Sequence, residues 1–173
     1  MAKKEANSFV LTIAGIAAAT VIGVVGVKLT PAPHVIFSLA PSAEPQATAE
    51  PEPISCVLAG TGQVVDFADV VFLAVKPQFL EGVLNEIKDS VKEEQIFISI
   101  APGKTLQWLG EHLGEKTKVI RTMPNTPAMV GEGMTALCVN ELVTEKETAL
   151  AVKLCNTFGK TEVIPERLMD VVV

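Results

Sequence analysis

The sequence has no run of basic residues: fourteen lysines and arginines stand against twenty aspartates and glutamates, a formal charge of -6. Without a basic patch no long-range field concentrates a polyanion, so nucleic acid is not an expected partner. Cysteine is also scarce. The three, Cys56, Cys138 and Cys155, are odd in number, widely spaced and set among apolar neighbours, which argues against a disulfide framework and against a metal site. Buried thiols in a reducing, cytoplasmic setting are the expectation. The two histidines, His34 and His112, lack Cys, Asp or Glu partners at ligand spacing and read as ordinary residues at element ends. At 173 residues the chain has the length of one domain with a real core.

Residues 1–53 differ in character from the rest. A polar start with Lys3 and Lys4 leads into Phe9 to Val27, a run without charge, and Pro31 to Pro53 is crowded with Pro and Ala. As a helix the run would be about 28 Å long, close to the hydrocarbon thickness of a bilayer. It therefore suits a membrane anchor. It suits equally a buried strand followed by a buried helix, the opening of a dinucleotide-binding βαβ unit, and composition does not choose between them. Pro41 to Pro53 reads as a solvated loop or linker.

From residue 54 to 173 the pattern is that of an α/β domain. Asp69 to Val75 is a continuous apolar run, as expected for a parallel strand covered on both faces. Pro77 stops it and opens a helix over Gln78 to Val91, with Phe79, Leu80, Val83, Leu84, Ile87 and Val91 on one stripe. Gln95 to Ile100 reads as the next strand, Leu106, Leu109 and Leu113 mark a short helix, and Lys118 to Met123 a third strand. This alternation implies parallel pairing with right-handed crossovers. Beyond it, Met134 to Val139 predicts a strand and Thr144 to Phe158 a helix, opened by a Thr144/Glu147 capping box and closed by Gly159. Lys160 to Ile164 predicts a last strand, and Pro165 starts another helix. The fold class is α/β, a Rossmann-like parallel sheet with flanking helices and an atypical N-terminal segment.

In such sheets ligands bind outside the carboxyl ends of the strands. Three segments stand there: Ala74-Val75-Lys76-Pro77, Ile100-Ala101-Pro102-Gly103, and Met123-Pro124-Asn125-Thr126-Pro127. Lys76 offers an ammonium to a phosphate or carboxylate, although a lone lysine ahead of a helix is commonly just solvated. Asn125 lies between rigid flanks that hold its two-way hydrogen-bonding amide in one place.

Taken in order, VFLAVKP (71–77), ISIAPG (98–103), VIRTMPNTPAMV (119–130), GEGMTA (131–136) and FGKTEVIPERLMD (158–170) resemble successive segments of the pyrroline-5-carboxylate reductase family. The resemblance runs from Asp69 to Val173. It implies a domain that binds NADP or NAD, in which Ala74, Val75, Lys76, Pro77, Ile100, Ala101 and Pro102 contact the cofactor and Asn125 sits close to nicotinamide and substrate. It also implies the family reaction, reduction of 1-pyrroline-5-carboxylate to proline by hydride transfer to a carbon–nitrogen double bond. A small imino-acid substrate is implied only where a helical C-terminal domain completes the site.

The sequence departs from the family at both ends. Leu11 to Ala19 keeps Gly15 but lacks the G-x-G-x-x-G spacing that lets backbone amides approach a pyrophosphate, and Ile16 is β-branched. Near Thr61 the family's cofactor-touching Asn is altered. Ser38 to Ser42 carries neither an acid for a ribose hydroxyl nor an arginine for its phosphate, so NADP and NAD are not told apart. The family's helical domain does not follow Val173, and little turnover by the chain alone is expected.

Overall fold

The computed structural model describes residues 23–28, 34–39 and 61–172, the segment 34–39 by its backbone alone. The altered glycine turn at 11–19, Cys56, the linker at 41–53 and most of the apolar run from Phe9 lie outside the described residues.

Among the described residues, seven strands form one sheet. They are β1 (Gly23–Lys28), β2 (His34–Leu39), β3 (Val70–Ala74), β4 (Ile96–Ser99), β5 (Lys118–Pro124), β6 (Gly133–Val139) and β7 (Gly159–Val163), in the spatial order β2-β1-β3-β4-β5-β6-β7. Four α-helices accompany them: α1 (Thr61–Phe67), α2 (Pro77–Ile87), α3 (Leu106–Leu113) and α4 (Glu145–Cys155).

The apolar run 69–75 behaves as its composition requires. All five residues of β3 are buried, with Val70 and Phe72 on one face and Val71 and Leu73 on the other. The second face packs against Leu80, Leu84 and Ile87 of α2 and Leu109 of α3. The first meets Ala151, Leu154 and Cys155 of α4 and Phe158 beyond it. Full burial of side chains such as Phe72 and Leu84 stabilises the fold by roughly 1.5–3 kcal/mol each.

β3, β4 and β5 pair in parallel, with α2 and α3 as the crossovers. β6 returns antiparallel to β5 through a 3-10 turn at Thr126–Val130, and α4 carries the chain to β7, parallel to β6. The capping box at α4 is present: Glu147 N donates to Thr144 Oγ1 at 3.3 Å and Thr144 N to Glu147 Oε2 at 2.8 Å. Two helix ends differ from expectation. α2 closes at Ile87 into a 3-10 turn, and α4 is capped at Asn156, not at Gly159. Gly159 instead opens β7 at φ 152°, where a Cβ would lie 2.0 Å from the Gly133 carbonyl oxygen. Only a residue without a Cβ fits there. The segment after Pro165 is 3-10, over Glu166–Val171.

The N-terminal strands break the parallel pattern. β1 is antiparallel to both β2 and β3. Only residues 29–33 separate β1 from β2, fewer than the dozen or so a parallel crossover takes, so a reversal is enforced. Gly23–Val27, the last part of the apolar run, is thus a buried strand, and no described helix is long and apolar enough to cross a membrane. α1 lies close on β1 because Gly26 has no side chain: a Cβ there would meet Ala68 Cβ and Val64 Cγ1 at 2.8 Å. Lys28 closes the far end with an ion pair to Asp69 at 2.5 Å.

Candidate functional site

The pairing of β3, β4 and β5 aligns their carboxyl ends. Leu73 sits opposite Ser99, and Ser99 opposite Arg121, so the turns after β3 and β4 leave the sheet side by side, while β5 runs on to Pro124 before its own turn. Hydrogen bonds hold them: Ile100 N donates to Leu73 O at 3.3 Å, Ala101 N to Ser99 Oγ at 3.3 Å, and Thr122 Oγ1 to Ser99 O at 3.1 Å. The structure therefore brings the three predicted segments to one edge.

Within that edge the residues divide by burial. Ala74 is buried in the core on one face of the sheet and Val75 and Ala101 in the core on the other, while Pro77 and Ile100 are half-buried and Lys76 and Pro102 are exposed. Asn125 is exposed, with its Oδ1 accepting from Met134 N at 2.8 Å. β5 runs on to Pro124, three residues past Arg121, which carries Asn125 roughly 10 Å or more beyond the level of Ser99 at about 3.3 Å per residue.

Electrostatics favour an anion at the first turn. Lys76 is the N-cap of α2 and Pro77 its first residue, and no side chain caps this helix. The other two long helices have theirs occupied: Thr105 Oγ1 accepts from Trp108 N at 3.1 Å and Glu166 Oε1 from Leu106 N at 2.7 Å at α3, and the capping box closes α4. The open positive end of α2 and the exposed Lys76 at its N-cap both lie at this edge.

Antiparallel β1 changes what else reaches the edge. Gly23, its first residue, stands opposite Ala74 and opposite Leu39, the last residue of β2. In an all-parallel domain the first strand would leave the sheet here into a phosphate-binding turn. Here the chain enters β1 at this edge and leaves at the other, by Lys28.

Sequence reasoning gave no role to Arg121. It is fully buried in β5, its Nη2 donates to Asp170 Oδ1 at 2.5 Å, and its Nη1 lies 3.5 Å from Glu166 Oε1. Since that Glu166 oxygen also accepts from Leu106 N, one network joins β5, the start of α3 and the 3-10 segment 166–171. Nε and Nη1 make no hydrogen bond. A charged residue in the middle of an apolar strand was the signal available. Beside it Cys138 is pushed up to about 11 by burial, with Glu166 adding to the effect, and burial alone takes Cys155 to about 12. Both stay protonated thiols, and His112 Nδ1 is occupied by Trp108 O at 2.8 Å. No group of metal-ligating side chains occurs among the described residues.

A depression of about 310 Å³ lies at the opposite edge, lined by Lys88, Val91, Leu113 and Lys116 among others. It holds solvated charges, such as the Lys116–Glu93 pair at 3.2 Å, and no convergent buried polar groups. The strand-end edge is the better candidate.

An open sheet with helices as crossovers and aligned turns at its parallel strand ends defines a Rossmann-like α/β domain. Residues 15–103 match the family described as NADP oxidoreductase coenzyme F420-dependent, and the chain belongs to that family. It is 44% identical over 111 residues to the pyrroline-5-carboxylate reductase of Escherichia coli K12, covering 64% of this chain and 41% of the relative. It is 35% identical over 146 residues to that of Pseudomonas aeruginosa, covering 84% and 53%. The crystal structure of Plasmodium falciparum pyrroline carboxylate reductase with NADP bound superposes at a TM-score of 0.65 with 28% identity, over 73% of this chain and 48% of that one. The chain thus corresponds to the N-terminal part of pyrroline-5-carboxylate reductases and spans about half or less of their length.

Proposed function

We propose that the edge formed by the three turns binds a nicotinamide dinucleotide, NADP or NAD, as the nucleotide-binding part of a pyrroline-5-carboxylate reductase. The observation that carries this reading is the register of β3, β4 and β5, which sets Ala74–Pro77, Ile100–Pro102 and Asn125 along one edge. The residues present fit the group. Ala74, Val75 and Ala101 turn their side chains into the core, so none of them projects a bulky group from the turns, and the uncapped end of α2 with Lys76 offers a place for a phosphate.

The bound dinucleotide would supply a hydride to a carbon–nitrogen double bond. The contribution of this chain is positional: Lys76 and the α2 amides hold negative charge, and Asn125 orients one polar group of the ligand. Reduction of 1-pyrroline-5-carboxylate to proline belongs to an assembly in which a further domain builds the imino-acid pocket.

Thermal unfolding in excess NADPH tests the reading. Ligand at about 100 times its dissociation constant raises stability by about 2.7 kcal/mol, and Lys76→Ala should weaken binding on the order of tenfold, the effect of one charge-assisted hydrogen bond. An unfolding midpoint indifferent to NADPH would reject it.

A further inference from the structure

Asn125 is held by its surroundings in one orientation. Pro124 precedes it at the end of β5, Pro127 lies in the first turn of the 3-10 segment, and the Asn125 backbone oxygen accepts from Ala128 N at 3.1 Å. The amide side chain meets Met134 N at 2.8 Å. A backbone N–H only donates, so the atom facing it is the amide oxygen, and this identifies which way round the amide stands. The amide nitrogen is left on the other side. It meets no hydrogen-bond acceptor among the described residues, on a side chain that is exposed.

We infer that Asn125 acts at the site only as a hydrogen-bond donor, and so selects ligands that present an acceptor oxygen, a carbonyl or a carboxylate, to this corner of the edge. The inference rests on the dinucleotide reading and deepens it. An amide free to turn would accept or donate as the ligand required. With its oxygen committed to β6, turning it would set an NH2 group against the Met134 N–H and lose that hydrogen bond, which at this exposed position costs about 0.5–1.5 kcal/mol. The acceptor has two sources with the same chemistry: the carboxamide oxygen of the nicotinamide, or the carboxylate of the imino acid and of its product.

Asn125→Asp is the informative substitution, because an aspartate keeps an oxygen for Met134 N while replacing the outward donor with an acceptor. The dissociation constants of NADP and of its nicotinic-acid analogue, which carries a carboxylate in place of the carboxamide, are measured for the native chain and for this variant, with and without proline. The native chain should bind the analogue at least as well as NADP. In the variant the analogue should weaken by tenfold or more and NADP by less, since a carboxamide can turn over to offer its own NH2 and a carboxylate cannot. Loss of a proline effect with both dinucleotides unchanged would also support the inference and assign the acceptor to the amino acid. The Asn125 side-chain NH2 resonance of the native chain should shift on ligand addition, a readout that does not depend on the variant folding. Native binding with that resonance unmoved, or equal affinities of variant and native chain in every arm, would overturn the inference and leave the dinucleotide reading standing. A native chain that binds neither dinucleotide would reject both.

Discussion

Between β3 and β5 each strand is followed by a helix, of eleven residues in α2 and eight in α3, and both pairings are parallel. Between β1 and β2 only residues 29–33 intervene, and both pairings of β1 are antiparallel. All five strands are apolar enough to share one sheet, so hydrophobicity does not separate the two regions. Connection length does: a crossover returns the next strand in the same direction, and a tight connection reverses it. Direction in turn decides which strand ends meet. It sends the ends of β3, β4 and β5 to the candidate site and sends the end of β1 away from it.

Substitutions in each region sharpen this contrast. The largest loss is expected from Gly159→Ala, since the added methyl group would collide with Gly133 backbone, which cannot give way as a side chain can. Destabilisation of about 3 kcal/mol or more is expected from denaturant unfolding. Glu166→Ala combined with Asp170→Ala leaves the buried Arg121 guanidinium without either partner, and unfolding free energy should fall by about 3 kcal/mol. Each carboxylate is partly exposed, so each single substitution should do less.

In the hairpin, Gly26→Val forces atoms toward Ala68 and Val64 and should cost about 1–3 kcal/mol. Hydrogen exchange shows where that loss falls. If β1 is integral to the sheet, amides of β3 and β4 lose protection together with those of β1; if exchange accelerates in β1 and β2 alone, the hairpin is a separable unit.

The smallest effect concerns pH. Burial raises the Glu147 carboxyl, but the hydrogen bonds from Lys118 and from Thr144 outweigh it and hold the group below its usual range. The stability this contributes is complete above the unfolded carboxyl value of about 4.3 and is lost as pH falls through the lower folded value. The stability difference between the native chain and Glu147→Gln should therefore be constant near neutrality and shrink in acid. A difference that stayed flat down to pH 3 would contradict this account.

Much of the body was legible from sequence because local rules and tertiary structure agree there. The apolar run 69–75, the α2 stripe and the Thr144/Glu147 box each report a local cause, burial on two faces, amphipathicity or capping; the first and last appear where expected, and the stripe appears at Leu80, Val83, Leu84 and Ile87, while Phe79 is exposed and Val91 lies beyond the helix. Gly159 was legible as special, but not as a point of close backbone approach, because that depends on Gly133 in a distant strand. The reversal of β1 was hidden for a related reason: an apolar run has no direction, and Phe9 to Val27 suits a span, a helix or a strand equally. At the site, the three turns were found by position and resemblance. The bond from Met134 N that orients Asn125 joins residues nine apart across a turn, and no sequence pattern announces it.

The most direct test is a two-dimensional amide NMR titration of the chain with NADPH. Saturable shifts should cluster at Val75, Gln78, Ala101, Gly103 and Asn125, with Gln95 and Thr117 at the opposite edge unmoved. Absence of saturable shifts, or a cluster around Gln95 and Thr117, would contradict the claim that the aligned strand ends are a dinucleotide site.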